Sequence, residues 1–254
     1  LALPMTITIL FVTGIVAGLL SSIAGLASLV SYPVLLLLGV PPISANTTNT
    51  AALIFTGVGS SISSVKELQH NQRDMWQVTA YALIGGILGS ILLVFAPETT
   101  FARVVPFLVF SAGVLMLWSQ FRKPPKQTAD PNRRSVKLLK NMAVLLVGIY
   151  IGYFGASAGM ILLSILIVTL NKSFAVTNAI KNFASFVTNV MSLVIYTFTT
   201  KVYWWMVLPM GIGMFIGGYL GPVVIRYIPA RPLRIVIAFA AFGLAGSLFY
   251  SAYF

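Results

Sequence analysis

The chain has 254 residues, 58% of them hydrophobic and only 8% charged, with a mean hydropathy of +0.96 and a formal net charge of +12. A soluble domain carries about 25% charged residues, so the composition describes a polytopic membrane protein. Cysteine is absent, which excludes disulfides, thiolate metal sites and a cysteine nucleophile, and the single histidine, His70, cannot build a histidine metal site alone.

Residues 5–39 open the chain with an apolar run too long for one crossing and interrupted near "GLLSSIAGL" at 18–26. It divides into pieces of about 12–18 residues, short against the ~20 that a span needs. No polar cleavage region follows the first segment, so no removable signal peptide is expected. Full-length segments follow at 43–66, 75–96 and 101–121. The stretch "VKELQHNQRD" at 65–74 reads as a solvated turn, with His70, Arg73 and Asp74 in it.

Next comes "FRKPPKQTADPNRRSVKLLK", 121–140, with seven lysines and arginines and three prolines. It predicts a basic cytoplasmic linker over 122–140, between an N-terminal repeat (1–121) and a C-terminal repeat (141–254). A second interrupted run occupies 141–170, broken at "GYFGASAGM", and spans follow at 174–200, 203–225 and 232–252. Counting crossings from the linker puts 65–74, Arg226, Arg231 and Arg234 inside. Only Arg103 and Lys201 then lie outside, an asymmetry that supports the count. Tyr203, Trp204 and Trp205 read as interfacial anchors, and Met206, Met210 and Met214 as a helix-packing stripe.

The halves repeat one another. Gly14, Gly18 and Gly25 match Gly148, Gly152 and Gly159; Asn49 matches Asn182; Gly85, Gly86 and Gly89 match Gly217, Gly218 and Gly221; Pro97 and Arg103 match Pro229 and Arg234. Three full crossings plus one broken, re-entrant pair per half would invert the second copy. The expected fold is therefore all-α, two inverted repeats, each with a broken/re-entrant helix pair and three transmembrane helices. Gly14/Gly18, Gly85/Gly89 and Gly213/Gly217 are expected to let helices pack closely.

Irregular backbone within a bilayer is tolerated where it lines a cavity. A half-helix that starts there aims free N–H groups at an anion. The two breaks therefore nominate Ser22, Gly25, Ala27 and Ser28, with Ser157 and Gly159. Each break precedes a helix with one polar stripe. The first carries Asn46, Asn49, Thr56, Ser60 and Ser63; the second carries Asn178, Lys181, Asn182, Ser185, Asn189 and Ser192. A polar cavity shared by both is one reading and interhelical hydrogen-bond seams are the other. Asn46, Asn49, Asn178, Lys181, Asn182 and Ser185 are the substrate-binding candidates. A lysine at bilayer depth costs about 2.5–3.5 kcal/mol, so Lys181 is either an anion's counter-charge or a side chain snorkelling to the surface.

The only acidic residues are Glu67, Asp74, Glu98 and Asp130, all in or beside loops. No carboxylate is placed to relay protons, and outward movement of a monoanion gains about 2.3 kcal/mol per 100 mV from a potential negative inside. Lacking a cysteine, a histidine pair or an intramembrane carboxylate, the chain is not expected to be an enzyme; no cofactor or metal is implied. Its partners are lipid and a small anion, not nucleic acid.

The runs "GIVAGLLSSIAGLASLVSYPVLLLLGVPPISANTTNTAAL" (14–53) and "GIYIGYFGASAGMILLSILIVTLNKSFAVTNAIKNFASF" (148–186), with the basic stretch between them, resemble the sulfite exporter TauE/SafE family over nearly the whole chain. Where many of that family carry a glycine cluster after the first break, this chain has "GLASL". The resemblance implies an inner-membrane exporter of sulfite, sulfoacetate or another organosulfonate. An uptake permease or a channel for a small anion stays open on the residues alone.

Overall fold

The computed structural model describes residues 3–121, 134–224 and 230–253. The linker residues 122–133, Arg226 and Pro229 lie outside them. Among the described residues all regular structure is helical: α1 (Leu3–Ala24), α2 (Ser28–Leu37), α3 (Pro42–Ser63), α4 (Val65–Gln69), α5 (Gln72–Phe95), α6 (Glu98–Phe121), α7 (Arg134–Tyr153), α8 (Ala158–Leu170), α9 (Phe174–Thr199), α10 (Trp204–Val224) and α11 (Ala230–Tyr253). Five of them, α1, α5, α7, α9 and α10, are long and apolar enough to cross a membrane. α3 equals α1 in length, at 22 residues each, but carries a buried polar stripe that lowers its hydropathy.

Both predicted interruptions are present, at 25–27 and 154–157. Their flanking pieces are unequal, however. α1 and α7 have 22 and 20 residues, enough to cross, whereas α2 and α8 have 10 and 13. α7 gains its length because "RSVKLLK", read as linker, folds as its first two turns. With the prolines behind it, a run of lysine and leucine favours helix.

Local chemistry fixes the ends. Pro41 and Pro42 start α3, where a missing N–H costs nothing. The Ser173 hydroxyl accepts from the Val176 amide and caps α9. Asn171, at φ 53°, stops α8 in the left-handed region.

The helices pack backbone to backbone. Gly14 and Gly18 of α1 face Met210 and Met214 of α10, and Gly148 and Gly152 of α7 face Ala82 and Gly86 of α5; a methyl group at any of the four would overlap a carbonyl. The methionine stripe is buried in this contact. The contacts of one half recur in the other. Gly213 meets Phe11, Gly14 and Ile15, and Gly85 meets Leu145, Gly148 and Ile149; Gly217 meets Ile15 and Leu19, and Gly89 meets Ile149 and Tyr153. Gly85 and Gly89 therefore correspond to Gly213 and Gly217, one helical turn away from the match read in the sequence. "GIGMFIGGYLG" carries small residues at both registers, so composition could not choose between them.

α3 and α9 run in opposite directions. The Thr47 hydroxyl donates to the Lys201 carbonyl and the Tyr203 amide donates to the Thr48 hydroxyl, which puts the start of α3 beside the end of α9. At the other end Lys172, just before α9, lies 3.9 Å from Asp74 at the start of α5. α6 and α11 pair through Phe107, Phe110, Phe242, Phe249 and Tyr253. Leu37, Phe95, Leu139 and Phe198 are more than two-thirds exposed, a surface that suits hydrocarbon rather than water.

Candidate functional site

The two breaks touch. Gly25, at φ 72°, takes a conformation that glycine adopts without strain, and its backbone lies so close to Gly159 that neither position has room for a Cβ. The Gly25 amide bonds back to the Ser21 carbonyl, closing α1. In the second break Gly155 also has φ 72° and Ser157 has φ 58°. The Tyr150 hydroxyl donates to the Ala156 carbonyl at 2.8 Å and pins that turn to α7. The Tyr196 hydroxyl of α9 donates to the Gly152 carbonyl in the last turn of α7.

Each broken helix ends in carbonyls with no intrahelical partner, and the polar stripes supply donors. Asn178 and Asn182 of α9 donate to the Ser22 carbonyl at 2.8 and 3.1 Å. Lys181 is 1% exposed, and its Nζ lies 3.0 Å from the Ser21 carbonyl and 3.5 Å from that of Ser22. A cation at the negative end of α1 is stabilised by the helix dipole, so Lys181 does not snorkel. On the opposite side Asn46 of α3 donates to the Tyr153 carbonyl at the end of α7. Asn49 binds inward: its amide donates to the Ser28 hydroxyl at 3.0 Å, and its carbonyl accepts from Ser31 at 2.6 Å.

Between these groups lies a cavity of about 50 Å³. The breaks line it with Gly25, Ala27, Ser28, Gly155, Ala158 and Gly159; α3 contributes Thr50, Thr56 and Ser60; α9 contributes Lys181, Asn182, Ser185 and Asn189; Phe154 and Phe186 add rings to its wall. Of the residues nominated from the sequence, Gly25, Ala27, Ser28, Gly159, Lys181, Asn182 and Ser185 line it. Ser22, Asn46, Asn49 and Asn178 stand behind the wall in hydrogen bonds between helices, and Ser157 stands there with its hydroxyl unpartnered among the described residues. Ser21, Thr50, Thr56, Ser60 and Asn189 line it without having been nominated. The signal for Thr56, Ser60 and Asn189 was their place in the polar stripes, and that for Ser21 its place among the serines of the first broken run; Thr50 carried none beyond adjacency.

Three features of the lining favour a negative guest. Among the described residues the amides of Ala27 and Gly159 have no acceptor. The hydroxyls of Thr56 and Ser185 are buried without a hydrogen-bond partner, which costs about 1–3 kcal/mol each unless a guest or water fills the need. Lys181 supplies positive charge. His70 is remote from this place: its Nδ1 sits 2.9 Å from the Lys66 carbonyl in an exposed turn. No cluster of three metal-ligating side chains occurs among the described residues.

A probable membrane transporter protein of Haemophilus influenzae is 25% identical over 96% of this chain and 94% of its own length. A probable membrane transporter protein of Sinorhizobium, ORF9, is 25% identical over 89% of this chain and 85% of its own. The probable membrane transporter protein YfcA of Escherichia coli K12 is 23% identical over 98% and 92%. Residues 10–248 match the sulfite exporter TauE/SafE family. With two interrupted helices meeting at a polar cavity inside a multi-pass helical bundle, the chain belongs to the sulfite exporter TauE/SafE family of membrane transporters.

Proposed function

We propose that the chain exports a small sulfur oxyanion, sulfite or an organosulfonate such as sulfoacetate, across the bacterial inner membrane by alternating access. Its halves, 1–121 and 141–254, act as inverted repeats joined by a cytoplasmic linker. The opposed directions of α3 and α9 and the recurring glycine contacts support that organisation. The anion sits between the breaks, held by the amides of Ala27 and Gly159, the Thr56 and Ser185 hydroxyls, Asn182 and Lys181. The observation that carries the reading is the buried Lys181 beside those two open amides.

A cavity of about 50 Å³ is large enough to hold water. In this conformation it suits a sulfite-sized ion; a longer sulfonate needs α3 and α9 to separate. Binding the anion places negative charge beside Lys181, which otherwise serves the carbonyl end of α1. The anion therefore competes with the contact that ties α9 to α1, which gives substrate a means of loosening the closed arrangement.

The test is efflux of sulfite from proteoliposomes under an imposed potential. Wild-type protein should release sulfite in a saturable way, faster when the compartment it leaves is negative. Lys181→Ala and Asn182→Ala should abolish this while remaining monodisperse, and Lys181→Arg should keep a measurable fraction. Wild-type rates in both alanine variants would remove the site. Saturable release of another anion but not sulfite would leave the site and replace the substrate.

A further inference from the structure

We propose that a second anion site, one that takes a phosphate group, lies at the end of the bundle where α5 begins. A hollow of about 450 Å³ opens there between the first turn of α5, the first turns of α7 and the end of α8. It is far larger than the central cavity, and Arg73, Lys137 and Lys140 all line it. Its one carboxylate among the described lining residues, Asp74, lies 3.9 Å from Lys172 and already has a counter-charge.

Lys140 separates this place from an ordinary basic helix end. It is 7% exposed, whereas a lysine on a solvated face keeps its ammonium in water. Its Nζ reaches Gln77 Oε1 at 3.4 Å, and Gln77 Nε2 in turn donates to Asn141 Oδ1 at 3.2 Å. This bridge between α5 and α7 fixes an ammonium in the wall of a roomy hollow. Arg73 and Lys137 are exposed on the rim, where a guanidinium can take two oxygens of one ligand at once. The first turn of α5 adds the positive end of a helix, and the carbonyl end of α8 partly offsets it. Three cations against one neutralised carboxylate leave a surplus of positive charge, and an anionic phosphate with two or more free oxygens to share matches it. Basic pockets between transmembrane helices on the cytoplasmic side hold phosphate head groups in this way. The same chemistry would arrive on a phospholipid or as free phosphate.

The experiment uses purified full-length protein and two probes. Inorganic phosphate is titrated while the unfolding temperature is followed, and phosphatidylglycerol is titrated against phosphatidylcholine by native mass spectrometry. At least one probe should bind the wild type. That binding should weaken about tenfold or more in Lys137→Gln/Lys140→Gln and in Arg73→Gln, an exposed position that leaves the buried bridge intact. Lys140→Arg should retain it, and Asp74→Asn should tighten it. Phosphatidylglycerol alone assigns the site to lipid; inorganic phosphate, alone or with the lipid, assigns it to a soluble phosphate. No binding of either probe, or equal binding in wild type and Arg73→Gln, overturns the proposal. Because the readout is binding rather than sulfite efflux, its failure leaves the central site untouched, and the reverse also holds.

Discussion

Asn49 shows how much a single side chain can hold in a membrane interior. Its amide satisfies the Ser28 hydroxyl and its carbonyl accepts from Ser31, at the start of α2. Removing it leaves the buried Ser28 hydroxyl without its partner, at about 1–3 kcal/mol, while the Ser31 hydroxyl keeps the Ala27 carbonyl. Asn49→Ala should therefore lower the unfolding temperature in detergent, and Asn49→Asp should not rescue it, since a carboxylate buried at this position lacks a counter-charge. Ser157 works the other way. It holds φ 58° without the freedom of glycine, and its buried hydroxyl has no partner among the described residues. A left-handed conformation costs an L-residue about 1–2 kcal/mol, so Ser157→Gly should stabilise the protein by about 1 kcal/mol. If efflux falls while stability rises, the hydroxyl serves transport; if efflux is unchanged, the strain is a local accident of the turn.

At the scale of elements, the glycines divide sharply by what surrounds them. Gly89 and Gly152 lie in the α5–α7 contact, where an added Cβ would overlap a facing carbonyl. Gly89→Leu or Gly152→Leu should force those helices apart and yield aggregated or unfolded protein, read by size-exclusion chromatography. Gly243 and Gly246 of α11 have nothing within 4 Å of the same position. Gly243→Ala and Gly246→Ala should be neutral or stabilising by up to about 1 kcal/mol, the helix-propensity difference. Similar effects in both groups would contradict the packing described for α5 and α7.

At the scale of the whole molecule, the absence of cysteine makes topology directly testable. Single cysteines at Gln69 and Lys172 should share one side of the membrane, and those at Glu98 and Thr200 the other. An impermeant maleimide should label one pair and spare the other. Labelling of Gln69 together with Thr200 would overturn the opposed directions of α3 and α9. Substrate should also stabilise the fold by linkage. Sulfite at a hundred times its dissociation constant adds about 2.7 kcal/mol, so the unfolding temperature should rise with sulfite in the wild type and stay level in Lys181→Ala.

Taken alone, the residues determined the membrane setting, the positions of both breaks and the polar stripes, because apolar length, glycine and amide spacing are local properties that a bilayer reads directly. They also marked Lys181, since a lysine two turns inside an apolar helix costs energy wherever the helix goes. Only the tertiary structure decided what those groups face. It turned Asn46, Asn178 and Lys181 toward the carbonyl ends of broken helices, turned Asn49 into α2, and brought Ser21 and Thr50 to the cavity wall. It also chose between two glycine registers one turn apart. These are outcomes of how helices distant in sequence cross, and small residues repeated every turn allow more than one crossing until the backbones meet.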